Sequence, residues 1–532
     1  MSTVSEPAAP ALEAAWKPKF NPWTIAGVVT LATFMEVLDT SIANVALPHI
    51  AGNLSISEDE ATWVLSSYLV ANAVVLPISA WLSTKFGRKR FYMTCVWLFG
   101  LSSLACGLAP NLPTLVLFRI LQGLGGGGLA PTEQAILADT FPPEKRGQAF
   151  SVYGMAVVVA PIVGPTLGGY ITDNFNWRWL FLINVPVAIV SLYLSGRVLE
   201  DPPYLTRLRK AMYTVDYVGL ALLAIGIGAL QVTLDKGERE DWFSSPFIVM
   251  FAVTAVVAIV TALIWEYHHP HPVLDVRLFK VRNFSVACIM MFMLGASLYG
   301  ATVLIPQFLQ TLMGYTAMQA GMVLSPGGIV MILTMPIVGR MVTRVDPRKM
   351  IFFGFLSTSL ALFYMLNLNL EVNFAVPVMM RIYQCVGLGF LWIPISTMCY
   401  EGVPPDKNNN VSGMTNLARN LGGSLGIAGI SVILSQRSQY HQSVLSSHLS
   451  EYDPTMQQWL KGLTEKFMAL GNDSVHATQM AYQTIYGTMQ RQAVLLGSLD
   501  AIFVFACICL AMTPFAFLMK KASRGARPRG GH

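Results

Sequence analysis

A chain of 532 residues with 54% hydrophobic and 12% charged positions, and a mean hydropathy of +0.53, lies far outside soluble composition, where about a quarter of residues are charged. That excludes an ordinary water-soluble enzyme and predicts an all-α polytopic membrane protein. The formal charge of +6 does not imply a nucleic-acid partner, because topology accounts for the basic residues. The seven cysteines show neither a disulfide framework nor metal-ligand spacing, so no metal and no cofactor is expected.

Residues 1–22 are rich in Ala, Pro and Ser and read as a disordered cytoplasmic tail. The apolar stretch that follows runs past 20 residues with no small-residue cleavage site, so it reads as a first span, not a removable signal. Segments long enough for the roughly 20 residues a helical span needs follow at about 23–45, 61–82, 91–109, 113–137, 149–172 and 178–198. They continue at 215–234, 245–266, 284–311, 319–341, 350–366, 377–400, 411–434 and 496–519, giving fourteen spans. With a cytoplasmic N-terminus, 25 of the 35 Lys and Arg fall on the cytoplasmic side and 7 on the other. Only Arg119, Arg381 and Arg419 lie inside spans. The bias predicts both termini inside.

The spans divide as 6+2+6 because the chain repeats itself. Arg119-Ile120-Leu121-Gln122 with Pro142-Pro143-Glu144-Lys145 is answered 262 residues later by Arg381-Ile382-Tyr383-Gln384 with Pro404-Pro405-Asp406-Lys407. Ser83-Thr84-Lys85-Phe86 is answered by Val342-Thr343-Arg344-Val345. Parallel duplication in a membrane protein points to a transporter. The expected units are a bundle at 23–198, a linker with an extra hairpin at 199–282, and a second bundle at 283–519 followed by a basic cytoplasmic tail at 520–532. Within the second bundle the external loop 436–495 carries apolar spacing around Met456, Trp459, Leu460, Leu463 and Phe467, which predicts an amphipathic helix. That helix either packs on the protein's own outer surface or docks a partner.

Ionisable residues inside spans are the first functional candidates, since each costs about 2.5–3.5 kcal/mol to insert. Asp39 must face a polar cavity or carry a proton much of the time, which suits proton coupling; the structural alternative is a cap near the outer end of the first helix. Glu36 lies one turn earlier on the same face, and two carboxylates that close do not ionise independently. Glu133 is a second acid, a site for a cationic substrate, or half of a structural salt bridge. Arg119 keeps its charge at any relevant pH, and Arg381 is its repeat partner, suited to an anionic group or to anchoring the second half. Asn44, Gln122, Glu133, Tyr299, Gln307, Arg381 and Trp392 are the polar or aromatic residues expected on a substrate cavity. Gly123 to Gly128 satisfies a dinucleotide pattern but sits inside a span with no preceding strand, so it reads as close helix packing.

The run Met35 to Pro48, centred on Asp39, and the run Gly154, Pro161, Gly164, Pro165, Gly168, Gly169 resemble the first-helix and antiporter motifs of the major facilitator superfamily, in particular its fourteen-helix drug:proton antiporters of the EmrB/QacA type. The loop Gly87-Arg88-Lys89-Arg90 resembles that superfamily's signature, with Thr84 in place of the usual acid, which puts the latch formed by that acid in doubt. The resemblance covers nearly the whole chain and implies the major facilitator fold. It also implies an inner-membrane, proton-coupled exporter of hydrophobic or amphiphilic compounds, in which Asp39 carries the proton and Arg119 tunes it, with Glu36 or Glu133 assisting. Physically, the glycines allow tight packing and the prolines a bend that serves as a gate. The likeness further implies a periplasmic adaptor (EmrA-like) leading to an outer-membrane channel (TolC-like). Two other readings stay open: a proton-coupled importer or exporter of one metabolite, such as a siderophore or fatty acid, and a membrane enzyme or channel. The absence of any P-loop or HExxH pattern opposes the last.

Overall fold

The computed structural model describes residues 18–203, 216–270, 272–447, 449 and 452–521. The expected tails before residue 18 and after 521, and the linker stretch 204–215, lie outside the described residues. Among the described residues every regular element is helical. The principal helices are α1 (Pro22–Leu54), α2 (Trp63–Phe86), α3 (Arg88–Leu108), α4 (Leu112–Gly126), α5 (Leu129–Thr140), α6 (Pro143–Asn174) and α7 (Asn184–Val198). They continue with α8 (Tyr217–Lys236), α9 (Pro246–His268), α10 (Arg282–Thr311), α11 (Ala317–Met341), α12 (Pro347–Met365) and α13 (Ala375–Cys399). The last are α14 (Asn408–Ser447), α15 (Pro454–Ala469) and α16 (Ser474–Met512).

Local chemistry sets the helix ends. Asn21 accepts from the Trp23 amide at 2.9 Å with Pro22 at the first position of α1, and Asn111 accepts from Thr114 at 3.1 Å to start α4. Thr316 and Gln319 form a reciprocal capping box on α11. Gly87 turns α2 into α3 with φ +93°, a left-handed conformation that other residues rarely adopt, and a side chain there would also meet Asp201.

Among the described residues thirteen helical segments are long and apolar enough to cross a membrane. The fourteenth, α12, has 19 residues and carries Arg348 and Lys349 in its first turn, which lowers its mean hydropathy; it packs between α13 and α16. The count of fourteen spans therefore holds, in a major facilitator architecture. Two spans differ from the sequence expectation. The fourth is broken at Gly127 and Gly128 into α4 and α5, and the sixth opens with a single turn, Trp179–Leu182, before α7.

The duplication extends to the packing. In the first half α1 lies against α6, and α4 against α2 and α3. In the second half α10 lies against α14, and α13 against α11 and α12. Two long contacts, α6 on α11 and α2 on α14, join the halves as a symmetric pair. Along α6 and α11 the close approaches run from Gly147 against Gly339 and Val342, through Gly154 against Met335, to Ile162 against Gly328. The α8–α9 hairpin packs through α8 on α2 and reaches α14, where Ser424 donates to Gln231 at 3.1 Å.

The stretch 436–495 is largely helical. α14 has 40 residues, about 60 Å at 1.5 Å per residue, roughly twice the hydrocarbon thickness. α16 has 39, and α15 packs along its first part, burying Met456.

Candidate functional site

The first cluster is built around Asp39. Residues from three other helices gather around it: Arg119 and Gln122 from α4 and Asn184 from the start of α7 bond it directly, and Ser103 from α3 joins Gln122 and Asn184. Arg119 Nη1 donates to Asp39 Oδ2 at 2.7 Å, while Oδ1 accepts from Asn184 at 2.6 Å and Gln122 at 3.0 Å. Arg119 also donates to Gln122 Oε1 and to the Val64 carbonyl, and its guanidinium lies 4.4 Å from the Tyr68 ring centre. Ser103 accepts from both Gln122 and Asn184. Arg119 is 0% and Asp39 3% exposed, so this is a buried ion pair whose two ends are also hydrogen-bonded to neutral groups. Such an arrangement is costly to assemble and more costly to break on one side only. Chemically it holds a carboxylate whose charge is balanced by the guanidinium and whose oxygens are bonded by two neutral amides.

The second cluster lies where the halves face one another. Glu36 accepts from Asn72 at 2.9 Å, and its other oxygen, Oε2, has no hydrogen-bond partner although it is buried. Glu133 accepts from Thr30 at 2.7 Å and from Thr33, both on α1, and is fully buried. Across the interface Tyr153 of α6 stacks on Trp392 of α13 with centroids 6.1 Å apart, and Arg419 of α14 lies 5.0 Å from the Trp392 ring centre. Tyr299 of α10 packs where α14 exposes Gly423.

Gln122, read from polarity as a wall residue, sits inside the Asp39 network. Asn44 and Gln307 are exposed, on α1 and α10, away from both clusters in hydrogen bonding. Arg381 donates to Gln384 at 2.6 Å, repeating the Arg119–Gln122 contact, but the position matching Asp39 is Ser297, whose hydroxyl meets Cys509 Sγ at 3.1 Å. A small cavity of about 20 Å³ inside the second half, lined by Leu304, Phe308, Met365, Leu368, Met380 and Ile502, is apolar and touches none of the acids above.

The antiporter-motif glycines divide between two tasks. Gly154 faces Met335 and Trp392 of the second half, whereas Gly164 and Gly168 press on Ser41 and Ile42 of α1. Gly169 meets nothing within 4 Å, α6 runs unbroken past Pro161, and the Pro165 side chain lies outside the described residues. The run Gly123 to Gly128 packs against Tyr68, Asn72, Cys95 and Phe99, as helix packing requires.

At the Gly87 end, Arg88 pairs with Asp139 and donates to Asn409 of the second half at 2.7 Å. Asn408 donates to Asp139 at 2.5 Å and Asn409 to Thr84 at 3.1 Å, so Thr84, in the place of the usual acid, still takes part in a bond between the halves. Lys89 holds Asp201 and the Gly196 carbonyl, and Arg90 is exposed. Sequence reasoning missed Ser103, Asn184, Asp139, Asn408, Asn409 and Tyr153, and gave Arg419 no role. The available signal was a polar side chain inside or at the end of an apolar span, which marks a candidate without naming its partner.

The profile of the Major Facilitator Superfamily matches residues 29–427. The chain is 38% identical over 431 residues, 81% of its own length and 83% of the other's, to Multidrug export protein EmrB of Escherichia coli K12. It is 34% identical over 503 residues, 94% and 96% of the two chains, to Fatty acid resistance protein FarB of Neisseria gonorrhoeae. Among solved structures it superposes on the human organic anion transporter MFSD10 with a TM-score of 0.59 at 14% identity, covering 94% of this chain and all of that one. The proton:xylose symporter XylE superposes at 0.56 and 16%, covering 91% and 99%, and these two likenesses speak for the fold alone. With fourteen helical spans, a duplicated packing scheme and a buried acid–arginine pair in the first half, the chain is a multi-pass membrane transporter that belongs to the major facilitator superfamily.

Proposed function

We propose that this protein is a proton-coupled antiporter that exports hydrophobic and amphiphilic compounds, multidrug efflux in the manner named for its EmrB relatives, across the inner membrane with both termini cytoplasmic. The observation that carries the reading is the buried Asp39–Arg119 pair held by Gln122 and Asn184. Protonating Asp39 removes its charge and frees Arg119, so the pair has two arrangements that differ by one proton, as coupling needs. Glu36 and Glu133 assist from the interface. Substrate occupies the space between the bundles 23–198 and 283–519, walled by Glu133, Tyr299 and Trp392. The bundles rock about that space, with Gly154 as a close-packed contact between them that re-forms on each stroke, while Gly164 and Gly168 hold α6 to α1 within the first bundle. The Arg88–Asp139–Asn408–Asn409 contacts are its cytoplasmic latch. The helical extension 436–495 receives a periplasmic adaptor that leads to an outer-membrane channel. Substrate-driven proton flux in proteoliposomes tests the central claim: Asp39→Asn is expected to abolish it, and undiminished coupling in that variant would refute the assignment. Similarity to a fatty acid resistance protein favours a second reading, export of one amphiphilic metabolite, in which dyes and uncouplers would drive no proton flux.

A further inference from the structure

Arg419 is a charged side chain in the middle of the interface that the coupling scheme does not use. It is 6% exposed, on a helix that also packs unusually close to its neighbour. A side chain at Gly422 or Gly426 would collide with the backbone of Phe292 or Ala296, and one at Gly295 with the Arg419 carbonyl. The α10–α14 crossing therefore leaves the arginine no exit along that face, and its head is held against Trp392 and Tyr153.

Its bonding is thin for a buried guanidinium. Nη1 reaches the Tyr153 hydroxyl at 3.5 Å and Nε reaches Asn420 Oδ1 at 3.4 Å, both at the long limit of a hydrogen bond. Among the described residues Nη2 makes no hydrogen bond, and no carboxylate forms a salt bridge with Arg419. Other acids are engaged elsewhere: Asp39 with Arg119 and Glu133 with Thr30 and Thr33 in the first half, and Asp235 of the hairpin with Ser66. Besides the hydroxyls of Tyr153 and Tyr299, the carboxylate of Glu36 attracts Arg419 at longer range, and Glu36 itself has an unbonded oxygen. Arginine does not relieve this by losing its proton. A buried charge with most of its donors unspent is expensive unless something else supplies the counter-charge.

We propose that Arg419 is the headgroup anchor for an anionic substrate: a carboxylate or comparable acid group takes the unspent donors of the guanidinium while an aromatic or alkyl body lies against Trp392 and Tyr153. This rests on the export reading and narrows it to hydrophobic acids. A planar guanidinium beside a flat aromatic pair suits a carboxylate attached to a ring, with the acid bonded in the plane of the fork and the ring stacked beyond it. The acid competes with Glu36 for the same positive charge.

Binding to the purified, detergent-solubilised full chain tests this without any proton gradient, using naphthoate, naphthalene carboxamide and naphthyl trimethylammonium as probes that differ in charge. Naphthoate is expected to bind tightest. Arg419→Gln should weaken naphthoate by about ten- to a hundredfold, the worth of a charge-assisted hydrogen bond, and leave the amide nearly unchanged. Glu36→Gln should tighten naphthoate, a shift opposite in sign that a merely structural role does not produce. Equal affinity for acid and amide, or a uniform loss for all three probes in Arg419→Gln, overturns the proposal. Should that variant not fold, unchanged naphthoate affinity in Glu36→Gln overturns it instead. Loss of naphthoate binding when phosphatidylglycerol is added assigns the anchor to a membrane headgroup and likewise overturns a substrate role. Because Asp39 is not needed for binding, loss of coupling in Asp39→Asn with naphthoate binding intact leaves both proposals standing. Coupling that survives in Asp39→Asn sinks the antiport reading alone.

Discussion

Removing one member of a buried ion pair leaves the other charge stranded, at a cost of about 3–5 kcal/mol. Arg119→Gln leaves Asp39 with only Gln122 and Asn184 as described partners, so its midpoint of thermal unfolding should fall well below that of the unaltered protein. The double variant Asp39→Asn/Arg119→Gln strands no charge and should recover most of that stability while remaining uncoupled. Thermal melts of the two variants in detergent check this, and a double variant no more stable than Arg119→Gln would argue against a stranded charge. Asp39 and Arg119 were each legible from sequence because a charge inside an apolar span is rare. Their contact was not legible, since it joins residues 80 apart, and Asn184 comes from 145 residues away to donate to the same carboxylate. Polarity placed Gln122 on a cavity wall, but an amide is equally able to bond a neighbouring acid.

Between elements, the latch at the Gly87 end hangs on the first residues of α14. Asn409 accepts from Arg88 and donates to Thr84, and hydrogen bonds to charged groups are worth about 1.5–3 kcal/mol. Asn409→Ala should therefore raise the labelling rate of a cysteine introduced at Ser412, buried one turn further along α14, as the latch opens more often. A rate equal to that of the same cysteine in the unaltered background would remove the latch from the cycle. Thr84 shows what motif reading misses: the usual acid is absent, yet the bond between halves survives because Asn409 brings its own donor. In the second half the corresponding turn uses Asp346, which caps α12 by accepting from the Arg348 amide at 3.1 Å and pairs with the Arg348 side chain at 2.8 Å. Arg348 holds the Asp346 carboxyl below its usual range. A carboxyl lowered on folding stabilises the folded state above its unfolded pKa, and that contribution fades as pH falls through the folded value. Asp346→Asn should thus reduce thermal stability slightly at neutral pH and leave it unchanged under strongly acidic conditions, measured by the same melts. The amphipathic spacing at Met456 to Phe467 was a sound guide to α15, but the apolar stretches alone gave no sign that α14 and α16 run on as helices well past the membrane.

On the scale of the whole molecule, the two halves touch along α6–α11 and α2–α14, and any rocking motion must break or slide those contacts. A Cβ placed on Gly339 lies 3.2 Å from the Ser151 Cβ but also 2.8 Å from the Gly147 carbonyl oxygen, so a disulfide there requires α6 and α11 to part slightly. Ser151→Cys/Gly339→Cys should cross-link under mild oxidation, stop transport, and regain it on reduction. Full activity of the cross-linked protein would show that this contact does not open during the cycle. The native cysteines are buried apart from the half-buried Cys507, so they should interfere little.

The sequence alone determined the membrane class, the fourteen spans, the duplication and the two charges at the centre of the first half, because hydropathy, length and the cost of a buried charge are local properties of a segment. Only the tertiary structure decided which buried charges are matched and which are not. Arg119 and Arg419 look alike within their apolar spans, yet one meets Asp39 at 2.7 Å and the other faces an aromatic pair with its donors unspent. The physical reason is that a counter-ion in a membrane must come from another helix, and which helix lies near is settled by packing: glycines at Gly295, Gly422 and Gly426 bring α10 and α14 together and leave Arg419 at the meeting of the halves.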